Sequence, residues 1–140
     1  MLTYLDSNVL IAAAKGTEVL SERALRLIDD PMRQFVSSPF LRIETLHSSA
    51  YKVRLKNIEV GIQEQVDFYL EYLGSADVPF EDAGMAVAKA EEIAAKYGID
   101  ALDSMHVAVA LLVQAVEFIT TDKKLFRAMS IINVRHLSSI

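Results

Sequence analysis

Hydrophobic and polar positions in this chain switch repeatedly between the period of a strand and that of a helix. Residues 2–5, Leu-Thr-Tyr-Leu, form a short, largely apolar run that stops at Asp6 and passes through Ser7 and Asn8 into a helical pattern. Such a run predicts a buried strand with Asp6 at its carboxyl end. In open α/β sheets that edge is where ligands bind, near the point where strand order reverses. Asp and Ser also cap helices well, so the position alone leaves a structural role open.

Downstream, residues 9–14 predict a short helix stopped by Gly16. Thr17 predicts the cap of a second helix reaching about Asp29, with Leu20, Ala24, Leu27 and Ile28 on one face. Pro31 breaks the pattern, and residues 34–37 predict a short strand. Ser38-Pro39 opens a helix running to about Val53, and Asn57 caps another with Ile58, Ile62, Val66, Leu70 and Leu73 along one side. Together they predict a helical hairpin beside the sheet. Residues 76–80, with Pro79 inside, read as an edge strand or extended loop. A helix over 82–97 ends at Gly98, and Asp100 caps a very apolar helix over 101–114, buried on several sides. Residues 116–120 predict a strand, Thr121 or Asp122 the start of another helix, and residues 131–134 a last strand; residues 135–140 are left unassigned, with His136 in a surface tail. Strands and helices alternating without a long linker predict an α/β architecture with a mainly parallel sheet, as one domain over residues 1–140.

Composition narrows the function. With 52% hydrophobic and 24% charged residues the 140-residue chain has a globular composition and enough length for a core. No apolar run approaches a membrane span, and no basic leader precedes Leu2, so the expectation is a cytoplasmic protein without a signal peptide. The absence of cysteine removes disulfides, thiol nucleophiles and thiolate metal sites. A net charge of −5 excludes broad phosphate neutralisation as a mode of binding nucleic acid. A nucleic-acid partner therefore requires a metal ion or a local basic patch.

Most of the acids fall on polar helix faces, where they are solvated. Four do not: Asp6 ends a buried strand, Glu44 lies mid-helix among Phe40, Leu41 and Tyr51, Asp103 opens the most apolar helix, and Asp122 follows a strand through Thr120-Thr121. Carboxylates converging in a partly buried site repel one another and resist ionisation. A divalent cation removes that conflict, and magnesium or manganese prefers such oxygen ligands.

The segments Leu5-Asp6-Ser7-Asn8-Val9-Leu10, Arg42-Ile43-Glu44-Thr45-Leu46, Leu102-Asp103-Ser104-Met105-His106-Val107-Ala108 and Thr120-Thr121-Asp122-Lys123-Lys124-Leu125 resemble, in order and approximate spacing, the motifs of the PIN-domain family. Each is short, but together they cover the whole chain. The resemblance implies a three-layer α/β/α fold with a parallel sheet of about five strands in the order 3-2-1-4-5. It also implies a magnesium- or manganese-dependent ribonuclease, often the toxin of a type II toxin–antitoxin pair of the VapC kind. Asp6, Glu44, Asp103 and Asp122 would then bind the metal. Thr120 would orient Asp6 or a water, and Asn8 would hold the site by hydrogen bonding. RNA would be the substrate, an antitoxin protein a possible partner, and a homodimer the expected assembly.

Other readings compete with this one. Asp103 and Asp122 both stand where helix-capping or dipole stabilisation suffices. Glu44-x-x-His47 and Asp103-x-x-His106 fit a di-iron pattern, but helical di-iron bundles lack the strands expected here and leave Asp6 and Asp122 without a role. Both histidines are expected to be packed or hydrogen-bonded near the site. The basic residues Lys52, Arg54, Lys56, Lys123, Lys124 and Arg127 are solvated by default, with RNA-backbone contact as the second reading. Beyond a toxin, the alternatives are a stand-alone PIN-domain nuclease without an antitoxin, a response-regulator-like phosphoacceptor, and a partner-binding domain.

Overall fold

A computed structural model describes residues 1–17, 19–36, 38, 40–41, 44, 71 and 83–140. Among these, β1 (Leu2–Leu5) leads into α1 (Ser7–Lys15), α2 (Ser21–Ile28) and β2 (Gln34–Val36). Phe40, Leu41 and Glu44 are helical. Then come α3 (Ala83–Tyr97), α4 (Ala101–Leu112), β3 (Glu117–Thr120), a 3-10 helix Lys123–Ala128, β4 (Val134–His136) and a 3-10 turn Leu137–Ser139.

The described strands form one parallel sheet in the order β2-β1-β3-β4. This is the expected order without its outermost strand. The predicted strand over 76–80 and all of the helical hairpin but residues 40–41, 44 and 71 lie outside the described residues, so four strands stand where about five were expected. The register pairs Tyr4 with Val36 on one side and with Phe118 on the other. α1 packs on α2, and α3 on α4. The right-handed rule for parallel crossovers sets these two pairs on opposite faces of the sheet. Tyr4, Leu5, Phe118 and Ile119 fill the middle layer and meet Leu10, Val107 and Ala108 from the helices.

Several local expectations shift. α2 begins at Ser21, not at Thr17, because residues 19–20 form a turn and the Ser21 hydroxyl donates to the Ala12 carbonyl. α4 stops two residues early, with Gln114 in the left-handed region at φ 59°. The helix expected after Asp122 is a 3-10 helix. The last strand is Val134–His136, not residues 131–134, since the amides of Ile131 and Ile132 both turn back to the Ala128 carbonyl. His136 is therefore part of the sheet, partly buried, with Nε2 3.0 Å from the Thr121 carbonyl, and not in a surface tail.

The arrangement creates a switch point. β2 lies to one side of β1, and β3 and β4 to the other. The Asp6 amide donates to the Ile119 carbonyl at 2.9 Å, which extends the β1–β3 ladder by one step and fixes Asp6 beside the end of β3. Among the described residues, no helix is long and apolar enough to cross a membrane.

Candidate functional site

Asp6 occupies the N-cap position of α1, yet its side chain caps nothing. The carboxylate turns into the crevice between β1 and β3. There Oδ2 accepts from Thr120 Oγ1 at 2.6 Å and Oδ1 from Ser7 Oγ at 3.4 Å. Asp6 is 1% exposed, so the simple capping role is set aside by geometry. Burial pushes its carboxyl above the usual range; the Thr120 hydrogen bond opposes that, and the Glu44 charge adds to it.

Glu44 reaches the same place from its own helical segment. Oε1 accepts from Ser7 Oγ at 2.6 Å, and Oε2 lies 2.6 Å from His106 Nε2. Burial acts to raise the Glu44 pKa, but the hydrogen bonds from His106 and Ser7 outweigh it and hold the carboxyl below its ordinary value. His106, fully buried on α4, joins the site from below. Asp6, Glu44 and His106 each bring one possible ligand atom, and these atoms lie within 4.8 Å of one another.

Asp103, in the first turn of α4, stands at the edge of this group. Its amide donates to Asp100 Oδ1 at 3.0 Å, so Asp100 performs the cap, and the Asp103 carboxyl lies outside the group of close ligand atoms formed by Asp6, Glu44 and His106. Partial burial, then the charges of Asp6 and Asp100 and finally that of Glu44, push its pKa up to about 7. Burial disfavours the ionised carboxyl, and the neighbouring negative charges add to that.

Asp122 is placed differently. Its side chain accepts from the Lys124 amide at 2.9 Å and caps the 3-10 helix, while its own amide donates to Thr120 Oγ1 at 2.9 Å. It is thus tied to the site through Thr120, outside the group of close ligand atoms. Thr120 is the hinge of the arrangement, fully buried, donating to Asp6 and accepting from Asp122. Asn8 is exposed on the first turn of α1. His47, Lys52, Arg54 and Lys56 lie outside the described residues. Lys123 and Lys124 are exposed, and Arg127 donates to the Gly98 carbonyl at 2.8 Å.

Two features escaped the sequence reading. Ser7 bridges Asp6 and Glu44, although its type and place pointed only to a cap. Glu117 is a fifth acid off the solvated surface, 2% exposed, held by Arg33 Nε at 2.6 Å and Thr3 Oγ1 at 2.7 Å. It sits at the opposite end of β3 from Thr120, so its role is to anchor the strand. All four residues of Glu117–Thr120 are buried, so no alternation in Val-Glu-Phe-Ile-Thr marks this side chain as inward.

The donor set suits a hard divalent cation. Carboxylate oxygens dominate it, cysteine is absent from the chain, and Asp6, Asp100 and Glu44 add negative charge around Asp103.

Comparison with known proteins places these residues in context. The family model described as PIN domain matches residues 3–131. No curated protein matches the chain in sequence. Among solved structures, a chain in the crystal structure of VapBC2 from Rickettsia felis bound to a DNA fragment from their promoter is similar at a TM-score of 0.59 and 15% identity, covering 97% of this chain and 98% of that one. At that identity the likeness speaks to the fold alone.

Proposed function

Since this chain belongs to the PIN-domain family, a family of nucleases, we propose that it is a metal-dependent endoribonuclease with its centre at Asp6, Glu44 and Asp103. The observation that carries the proposal is the convergence of Asp6 and Glu44 on one crevice, beside an Asp103 carboxyl pushed up to about 7 by burial first and then by the charges of Asp6, Asp100 and Glu44. Asp6, Glu44 and Asp103 would hold magnesium or manganese, with Asp122 contributing from the rim. When bound, such an ion supplies a nucleophile from water at neutral pH and offsets charge on the scissile phosphate.

The chain's own residues prepare that chemistry. Thr120 fixes Oδ2 of Asp6, and the other oxygen lies 3.4 Å from Ser7 Oγ. Ser7 sets the spacing between Asp6 and Glu44 by bonding to both. The depressed Glu44 carboxyl keeps one firm negative charge in the site over the physiological range. Lys123 and Lys124, exposed just past Asp122, are placed to meet the RNA backbone and offset the chain's net charge locally.

Within this reading the protein is the toxin of a type II pair, held inactive by a small antitoxin. The support is the whole-chain likeness to a chain of a VapBC2 assembly. Co-purification of a small partner encoded beside this chain's gene tests it, and a single species on purification from the native source points to a stand-alone nuclease. A homodimer is expected, and light scattering measures it. RNA cleavage with magnesium or manganese, with and without EDTA, tests the activity itself. The wild type should cleave only with metal and Asp6→Asn should lose cleavage; equal cleavage by Asp6→Asn removes the assignment.

A further inference from the structure

Behind Glu44 lies a line of buried polar groups. Ser38 Oγ is 2.9 Å from the Tyr4 hydroxyl, the Tyr4 hydroxyl is 2.6 Å from His106 Nδ1, and His106 Nε2 is 2.6 Å from Glu44 Oε2. Tyr4 and His106 are fully buried and Ser38 nearly so. Apolar residues of similar size would pack this layer without the cost of desolvating three polar groups. No buried side-chain nitrogen or oxygen among the described residues lacks a partner, so the line is satisfied from end to end.

We propose that Ser38, Tyr4 and His106 form a relay that positions the Glu44 carboxylate, with the imidazole acting as a positioning residue and not as a metal ligand. The inference rests on the metal-centre reading above and goes further by assigning the inner side of that centre. An ionised carboxylate only accepts hydrogen bonds, so the 2.6 Å contact places a hydrogen on His106 Nε2. In the neutral ring Nδ1 is then the acceptor, which makes Tyr4 its donor. The Tyr4 oxygen in turn accepts from Ser38. Every hydrogen in the chain points toward Glu44.

Distance alone admits Nε2 as a third ligand beside Asp6 and Glu44. Ligation would require that nitrogen to give up its hydrogen, strip Glu44 Oε2 of its donor and reverse the Tyr4 bond. The relay avoids all three changes. It also accounts for a tyrosine in the centre of β1, where its ring stacks on Phe118 at 5.1 Å between centroids. Groups that hydrogen-bond metal ligands in this way typically govern affinity by about 10–100-fold.

The test combines nitrogen-15 NMR of the histidine ring with manganese titration. In the wild type the His106 Nε2–H pattern should be present without metal and should persist at saturating Mg2+. Loss of that hydrogen on adding Mg2+ makes His106 a ligand and overturns the relay. Tyr4→Phe, which keeps the ring stack, should weaken Mn2+ binding about 10-fold. His106→Leu should weaken it as much or more, and His106→Gln, which retains an N–H donor, should recover most of the loss. Unchanged Mn2+ affinity in Tyr4→Phe overturns the relay and leaves the metal centre standing. A wild type that takes up no Mn2+ overturns the metal centre, and the relay with it. The NMR arm uses only the wild-type protein, so it decides the matter even if a variant does not fold.

Discussion

Replacing Asp103 by Asn separates the electrostatic account of the site from a purely structural one. The Asp103 carboxyl is raised from 3.8 to about 7, by burial first and then by the charges of Asp6, Asp100 and Glu44. The folded state therefore holds this proton more tightly than the unfolded chain does. A group with a raised folded pKa contributes stability in full below its unfolded pKa, and that contribution is lost as pH climbs from about 4 through about 7. Above that window the metal-free protein carries the whole penalty of the ionised carboxylate. A shift of this size corresponds to at most about 4 kcal/mol at about 1.4 kcal/mol per pH unit. Because the side chain is only half buried, solvent screening leaves roughly 1–2 kcal/mol of it. Asp103→Asn removes the charge and keeps the amide bond to Asp100 that caps α4. The variant without metal should melt roughly 3–8 °C above the wild type at pH 8. At pH 5 the gain should shrink to about a third, since only part of the titration has then occurred. Thermal melts in EDTA at the two pH values measure both. Saturating Mn2+ should reverse the order at pH 8, because the wild type gains a ligand's worth of binding energy that the variant lacks. An Asp103→Asn protein less stable than wild type at pH 8, or with the same difference at both pH values, refutes the convergence of these carboxyls.

Other expectations follow from single contacts. Thr120→Val removes the hydroxyl that donates to Asp6 and accepts from Asp122; unfolding in urea should show a loss of about 1–3 kcal/mol, and calorimetry a weaker Mn2+ site. Arg33→Met leaves Glu117 buried without its main partner. It should cost about 3–5 kcal/mol at pH 7 by denaturant unfolding, with Mn2+ affinity unchanged in whatever fraction stays folded. The Glu117 carboxyl is held low by the hydrogen bonds of Arg33 and Thr3 against its burial. Its stabilisation is therefore present above the unfolded pKa and lost as pH falls through the folded one, so the stability deficit of Arg33→Met should narrow in acid titrations. Ser7→Ala should lengthen the separation of Asp6 and Glu44 and weaken Mn2+ binding in calorimetry, while α1, whose N-cap position is Asp6, keeps its helical signal in circular dichroism.

Local signals in the sequence were legible where one short segment decides the outcome. Strand β1 running out at Asp6, the Gly16 stop with φ 70°, the Asp100 cap of α4 and the buried β3 all depend on neighbours in the chain, and all stand in the structure. The sheet order was legible through the family resemblance, because connection rules leave few ways to arrange such units. What was not legible depends on partners far apart in sequence. His106 meets Tyr4 and Glu44 across 102 and 62 residues, so the sequence places it packed or hydrogen-bonded near the site without naming its partners. Glu117 could not be paired from the sequence, because its counter-charge, Arg33, comes 84 residues earlier. The end of the chain was misread for a different reason. Ile131 and Ile132 have strand-like side chains, but the turn from Ala128 claims their amides before the sheet can. Asp122 remained ambiguous because one side chain caps a helix while its backbone serves the site.

The central claim is that the side chains of Asp6, Glu44 and Asp103 gather to hold one hard cation. A crystal of this protein soaked in Mn2+ and measured at the manganese absorption edge tests that directly. The account predicts an anomalous peak in the crevice between β1 and β3, about 2.0–2.3 Å from oxygens of Asp6 and Glu44, with the His106 ring behind Glu44 and outside the coordination sphere. A saturated crystal with no peak there, or with its only peak elsewhere on the protein, contradicts it.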